Sequence, residues 1–181
     1  MFACGTCSLV PLISRNLLNR QGAKTMRWPE DFKYPQLPPL TEEEVTAFLN
    51  QAVFARLGTL NEDGTIHMTP ILFKYEAGQI LMPTQDVSRK IKNIKRDKHV
   101  SVLIDTTAFP FKGVLIYGTA ELDYDQVVEQ RTAVFERTRS HEEAQAYAQQ
   151  LSDFWQCVII RVTPTRIVSF DYTEEKVAAL N

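Results

Sequence analysis

The hydrophobic positions of this 181-residue chain change period several times, and each change predicts an element. Thr41 followed three residues later by Glu44 has capping-box spacing, and Val45, Phe48 and Leu49 then share a helical face. A short amphipathic helix therefore opens the ordered part of the chain. Residues 53–60 are mostly apolar, β-branched or small, and Asn61-Glu62-Asp63-Gly64 supplies turn chemistry that returns the chain into a second strand over 65–75. Ala77-Gly78 turns it again into a third strand over 79–84, continuing a meander. Over 88–97, Ile91 and Ile94 lie on one side with Lys92, Lys95 and Arg96 on others, which predicts a surface helix. Strands follow over 100–105 and 113–122.

Asp123 or Asp125 can cap a helix running to about residue 139, and a second covers about 142–151. Residues 156–162 and 166–170 alternate as two last strands, with Thr163-Pro164-Thr165 breaking them. Parallel strands each need a crossover of a dozen residues or more, so short connections between about seven strands favour an antiparallel barrel with helices at its periphery.

Composition narrows the picture. With 44% hydrophobic and 23% charged residues, the length suits a single domain with a sizeable core. A net charge of −2 disfavours a protein that coats nucleic acid, which needs uncompensated Lys and Arg. No apolar run approaches the ~20 residues of a membrane span. Residues 1–40 read as a leader and an extended, Pro-containing lead-in of poor order, and the domain as 41–181. The first 25 residues contain no Asp or Glu, and their first basic residue, Arg15, follows the apolar stretch, against the order of a secretory signal. A cytoplasmic protein is expected, with an organelle-targeting leader over 1–25 as the alternative; Met26 could itself begin a shorter chain. Three cysteines form no disulfide framework. Cys4 and Cys7 form a C-x-x-C, without the further ligands zinc requires or a visible activating cation. Cys157 sits in a strand pattern and reads as core. His67, His99 and His141 are far apart in sequence and suggest no metal set.

The segment Thr84-Gln85-Asp86-Val87-Ser88-Arg89-Lys90-Ile91 carries the candidate chemistry. With Ser88 as N-cap, Arg89 and Lys90 fall in the first helical turn, where unpaired N–H groups and the helix dipole repel cations by ~0.3–1 kcal/mol each. A bound phosphate reverses that sign, accepting hydrogen bonds from the N–H groups and both side chains. The competing reading is a solvated basic face, since Lys92, Lys95, Arg96 and Lys98 follow.

The run Thr84…Ser88-Arg89-Lys90-Ile91…Asn93-Ile94…Asp97…Val100-Ser101-Val102-Leu103 resembles the phosphate-binding helix and next strand of the pyridoxamine-5′-phosphate-oxidase-like, FMN-binding split-barrel superfamily. So do Ala55-Arg56-Leu57-Gly58-Thr59-Leu60…Asp63-Gly64, Thr69-Pro70-Ile71-Leu72-Phe73, Gly113-Val114…Gly118-Thr119-Ala120-Glu121-Leu122 and Thr163-Pro164-Thr165-Arg166-Ile167. The resemblance spans about residues 41–172 in order. It implies a mainly β, α+β fold, an antiparallel split β-barrel, and a homodimer with cofactor at the interface. It further implies an FMN-dependent oxidoreductase acting on a small substrate, with a deazaflavin-dependent reductase or a non-catalytic flavin-binding, redox-sensing module as alternatives. Positions matching Arg89 and Lys90 hold the cofactor phosphate in such proteins, and Lys74 matches another phosphate-contacting residue. The strand matching Met68, Thr69, Pro70, Ile71 and Leu72 runs along the isoalloxazine ring through its backbone, and Pro83 and Thr84 match positions beside the cofactor. Ser88 joins this set on the capping argument alone.

Departures bear on the reaction. True pyridoxamine-phosphate oxidases have a flavin-contacting Arg where this chain has Thr69, and a Gln where it has Gly113. Their Arg- and His-bearing C-terminal motif is missing from the end of the chain, Asp171-Tyr172-Thr173-Glu174-Glu175-Lys176-Val177-Ala178-Ala179-Leu180-Asn181. Vitamin B6 oxidation is thus disfavoured, and no acid–base residue is singled out. Haem-binding relatives use a His near the C-terminus, and none follows His141. Phe154-Trp155 could line the ring or simply pack.

Overall fold

A computed structural model describes Leu17–Leu18, Lys24–Thr25 and residues 39–178. The Cys4/Cys7 pair, the leader's charge pattern and the lead-in over 27–38 lie outside the described residues. The chain divides into two units, Met1–Pro35 and Gln36–Asn181. In the first, Leu17–Leu18 pairs antiparallel with Lys24–Thr25.

The second unit opens with α1 (Glu42–Gln51), whose N-terminus is closed by both halves of the expected capping box: Glu44 N–H donates to Thr41 Oγ1 (3.2 Å) and Thr41 N–H to Glu44 Oε2 (2.8 Å). Then come β1 (Phe54–Leu60) and β2 (Ile66–Leu72), paired as a hairpin from Phe54↔Leu72 to Leu60↔Ile66. The single strand expected over 65–75 is two: Phe73 leaves the ladder, its N–H bonding Val53 O, and β3 (Lys74–Glu76) begins after it. Ala77 and Gly78 both have positive φ, 49° and 79°, the two-residue turn that suits the twist of a hairpin. It delivers the chain into β4 (Gln79–Gln85), which pairs with β3 but not with β2, so the expected meander stops there.

After α2 (Arg89–Arg96), β5 (His99–Asp105) and β6 (Lys112–Asp123) form a second hairpin. Next are α3 (Val127–Phe135) and α4 (His141–Phe154), then β7 (Cys157–Asp171) and α5 (Glu174–Ala178), a short helix the sequence pattern did not predict. Neither Asp123 nor Asp125 caps α3. Gln126, at φ 47°, stands there instead, because the Asp123 carboxylate is taken by Arg161 Nε (2.7 Å) and Gln130 Nε2 (3.0 Å). The helix also stops at Phe135, short of residue 139.

The sheet order is β2-β1-β5-β6-β7-β4-β3, antiparallel throughout. Strand β7 is continuous where two strands were expected. It passes Thr163-Pro164-Thr165 because the ladder with β6 shifts register between Tyr117 and Gly118, opposite Pro164. Gly118 permits the approach, since a Cβ there would lie 2.5 Å from Thr163 O. The curled sheet encloses residues of β1, β4, β5, β6 and β7, among them Leu57, Met82, Val102, Ile104, Ile116 and Ile160, all fully buried, while β2 buries only Ile71. Phe48 and Leu49 of α1 and Ile91 and Ile94 of α2 pack into the same core. Contact between β2 and β4 narrows the split of the barrel. Among the described residues, no helix is long and apolar enough to cross a membrane.

Candidate functional site

Because β3 has only three residues and pairs no further along β4 than Leu81, β4 runs on from Met82 with one margin uncovered. Pro83, which has no N–H to offer, is accommodated there. Pro83 is buried and Thr84 half-buried, opposite Ile159 and Val158 of β7. A turn follows, closed by Ser88 N–H to Gln85 O (3.2 Å), and it launches α2.

Ser88 is the N-cap of α2, as the spacing predicted, yet its hydroxyl caps nothing: Ser88 Oγ is buried and has no hydrogen-bond partner among the described residues. An idle hydroxyl in that position costs the fold, since a buried polar atom without a partner loses its hydration for nothing. Arg89 and Lys90 share the first turn but not an environment, because adjacent residues on a helix point about 100° apart. Arg89 is exposed. Lys90 is only 9% exposed, on the side of Ile91 and Ile94, and its ammonium donates to Thr84 Oγ1 at 3.1 Å. No carboxylate pairs with it among the described residues, and burial pushes its pKa below the ordinary value. The N–H groups of Arg89 and Lys90 have no helical acceptors. Thr84, Ser88, Lys90 and the start of α2 are thus together, with donors in excess.

The same buried face of α2 is anchored further along. Asn93 Nδ2 donates to Thr59 Oγ1 (3.0 Å) and Asn61 Oδ1 (2.9 Å), and Arg96 donates to Leu60 O. These bonds fasten the helix to the tip of the β1–β2 hairpin. There, hydrogen bonds from Thr65 hold the Asp63 carboxyl below its usual range, with the charge of Arg89 adding to them.

Strand β2 is one margin of the sheet, so the expected ring-contacting residues Met68, Thr69, Pro70, Ile71 and Leu72 have an open backbone edge. Pro70 and Met68 face outward and are exposed, while Ile71 is buried. Thr69, where the oxidases have Arg, shares a 2.9 Å hydrogen bond with His67 Nε2. The outer face of the sheet is apolar here: Leu60, Ile66, Met68 and Tyr117 border a recess of about 340 Å³.

Lys74 is placed apart from this cluster. Its ammonium donates to Glu76 Oε1 (2.7 Å), and it lines a separate polar recess with Gln130 and Arg161. Gly113 is closed to larger residues, because a Cβ there would stand 2.5 Å from Phe170 Cζ and 3.0 Å from Ile104 O. The anchoring role of Asn93 was missed from sequence, although a polar residue between Ile91 and Ile94 on the apolar side of a basic helix was its signal.

Residues 41–170 match the model of the pyridoxamine 5′-phosphate oxidase family, and the chain belongs to that family. No curated protein matches it significantly. Among solved structures, a conserved hypothetical protein of Mycobacterium tuberculosis, Rv2991, is similar over 77% of this chain and 88% of its own, with 25% identity and a TM-score of 0.67. A protein named as an F420 reductase matches over 70% of this chain and 98% of its own, at 19% identity and TM-score 0.56. An FAD-binding protein of Mesorhizobium loti covers 77% of this chain and 98% of its own, at 19% identity and TM-score 0.55. These last two likenesses establish the split-barrel fold.

Proposed function

We propose that the chain is a flavin-dependent oxidoreductase that holds FMN by its phosphate at the start of α2 and acts as a homodimer on a small substrate. The observation that carries this reading is the buried ammonium of Lys90, bonded to Thr84 Oγ1 but with no carboxylate partner among the described residues, in the same helical turn as the partnerless hydroxyl of Ser88. Both are unfavourable in the protein alone, and both become favourable against a phosphate dianion. Thr84 Oγ1 steers the Lys90 ammonium, Ser88 Oγ and the free N–H groups donate from the helix, and Arg89 closes over the anion from solvent.

Pro83 and the open edge of Met68–Leu72 then offer a ledge for the ring, with backbone groups free to hydrogen-bond its polar margin. Hydride transfer belongs to the isoalloxazine when it is bound, and the protein's part is positioning and electrostatics. The apolar outer face around Ile66 and Met68 suits burial against a second copy of the chain. Fold neighbours named as an F420 reductase and an FAD-binding protein accord with a flavin-type coenzyme. Lys74 enters only through the family resemblance, since here it is tied to Glu76.

The test is reconstitution of purified protein with FMN and, separately, with a deazaflavin, followed by the visible spectrum and by turnover with nicotinamide donors. Tight FMN binding, lost in Arg89→Glu with the far-ultraviolet spectrum unchanged, is expected. Tight deazaflavin binding with no FMN binding would reassign the coenzyme, and a bound flavin without turnover would make the protein a binding module. Unchanged FMN affinity in Arg89→Glu would remove the phosphate from this helix.

A further inference from the structure

Where the β1–β2 hairpin opens, at the end away from its turn, a recess of about 690 Å³ has no part in holding the phosphate or the ring. Its position follows from the ladder. Phe54, which lines the recess, pairs with Leu72 at the end of the proposed ledge, and Arg56, opposite Pro70, bonds the Asp105 carboxylate in the recess wall. Ledge and recess are therefore one interstrand step apart, about 5 Å. The walls are mostly apolar, from Phe48, Ala52 and Val53 around the end of α1 to Phe109 and Pro110 in the β5–β6 loop. That loop is held in shape. Thr106 Oγ1 accepts from Lys112 N–H (2.9 Å) and donates to Pro110 O (3.3 Å), and the Phe109 and Phe111 rings meet edge to face at 6.0 Å. Phe54 and Phe109 are nevertheless 57% and 70% exposed, so two rings of the recess face water in the free chain.

We infer that this recess receives an uncharged, largely apolar ring compound and is the substrate side of the site. As a substrate pocket it rests on the flavin reading above; as a binding site it stands on its own walls. Charge decides the class. Two charged side chains line the recess, and each already has its counter-ion: Asp105 has Arg56, and the Lys112 ammonium stands 3.4 Å from Asp171 Oδ2. The Asp171 side chain is only 4% exposed, so an anionic ligand that drew Lys112 away would leave a buried carboxylate unpaired. A cationic ligand meets the same obstacle at Asp105, where Arg56 holds the carboxylate. An uncharged ring disturbs neither pair. It covers Phe54 and Phe109, while Gln51 and Thr107, both exposed, offer hydrogen bonds to a carbonyl it carries.

The probes are 2-acetylnaphthalene, neutral and carbonyl-bearing, and 2-naphthoate, an anion of nearly the same shape, each equilibrium-dialysed against apo full-length protein at neutral pH. The neutral probe should bind more tightly, by about tenfold or more. Ala108→Trp, which fills the mouth from an exposed loop position, should abolish its binding. Phe109→Ala should weaken it about 2- to 12-fold through the lost ring contact, and gives a second reading should Ala108→Trp not fold. In protein loaded with FMN, the neutral probe should also shift the visible flavin band. Equal affinities, or a preference for the naphthoate, would overturn the proposal, as would indifference to both substitutions. Altered sedimentation of Ala108→Trp with the probe still bound would make the recess a contact between copies of the chain and overturn it too. An unmoved flavin band would remove the substrate role while the flavin reading stood. Failure to take up FMN, with the probe bound as expected, would overturn the flavin reading and the substrate role with it.

Discussion

Replacing Lys90 by Met separates what the ammonium does for the fold from what it does for a ligand. Met keeps the length and apolar stem of lysine and removes a charge that is nine-tenths buried and that, among the described residues, has no carboxylate partner and bonds only Thr84 Oγ1. In the free protein that charge is a liability, and exchanging an uncompensated buried charge for an apolar side chain should stabilise by about 1 kcal/mol. For a domain of this size that is a rise in Tm of roughly 2–4 °C. With flavin the sign reverses, because a charge-assisted hydrogen bond contributes about 1.5–3 kcal/mol, and FMN should bind about 10- to 150-fold more weakly. A pH signature accompanies the pair. Burial lowers the Lys90 pKa from its ordinary 10.5, so between the lowered value and 10.5 the unfolded chain binds more protons than the folded one. Stability of the free wild type therefore gains from Lys90 as pH rises through that window, and its deficit relative to Lys90→Met should shrink. Differential scanning fluorimetry with and without FMN, at neutral pH and near pH 10, reads all three effects. A Lys90→Met protein that is less stable when free yet binds FMN as wild type does would refute the reasoning.

Asn93→Ala removes the bonds to Thr59 and Asn61 from a buried position and should cost about 1–3 kcal/mol, seen as a lower urea midpoint with an unchanged slope. Gly113→Ala should cost about 1–3 kcal/mol by driving Cβ into the Phe170 ring, and Phe170→Leu in the same chain should recover part of the loss; full stability of the single variant would contradict the close contact. The hydrogen bond from Lys95 holds the Asp86 carboxyl below 3.8, so its stabilising contribution is complete above that value and disappears as pH falls through the lowered one. Asp86→Asn should lack this component of acid unfolding when melting is followed from pH 5 to pH 2.

Much of this architecture was readable because local chemistry and tertiary environment agreed. Thr41 and Glu44 make their two bonds within four residues of chain, so α1 was visible without its neighbours. Strand β7 was not, because what lets Pro164 sit inside it is a register shift and a glycine on β6, some 46 residues away. The start of α3 was hidden for a similar reason: Asp123 spends its carboxylate on Arg161 across the sheet. At the site, the sequence pointed to Arg89 and Lys90, the two residues that begin α2. Only packing shows that Lys90 is buried and Arg89 is exposed, and that Ser88 leaves its hydroxyl idle.

The two hydrogen bonds donated by Asn93 have a consequence for how this scaffold can diverge. It rivets the helix proposed to hold the phosphate to the hairpin whose second strand forms the proposed ledge, making the two one mechanical part. A substitution that loosened one would tilt the other. New specificity is therefore more readily gained at the periphery than by remodelling the anchor itself.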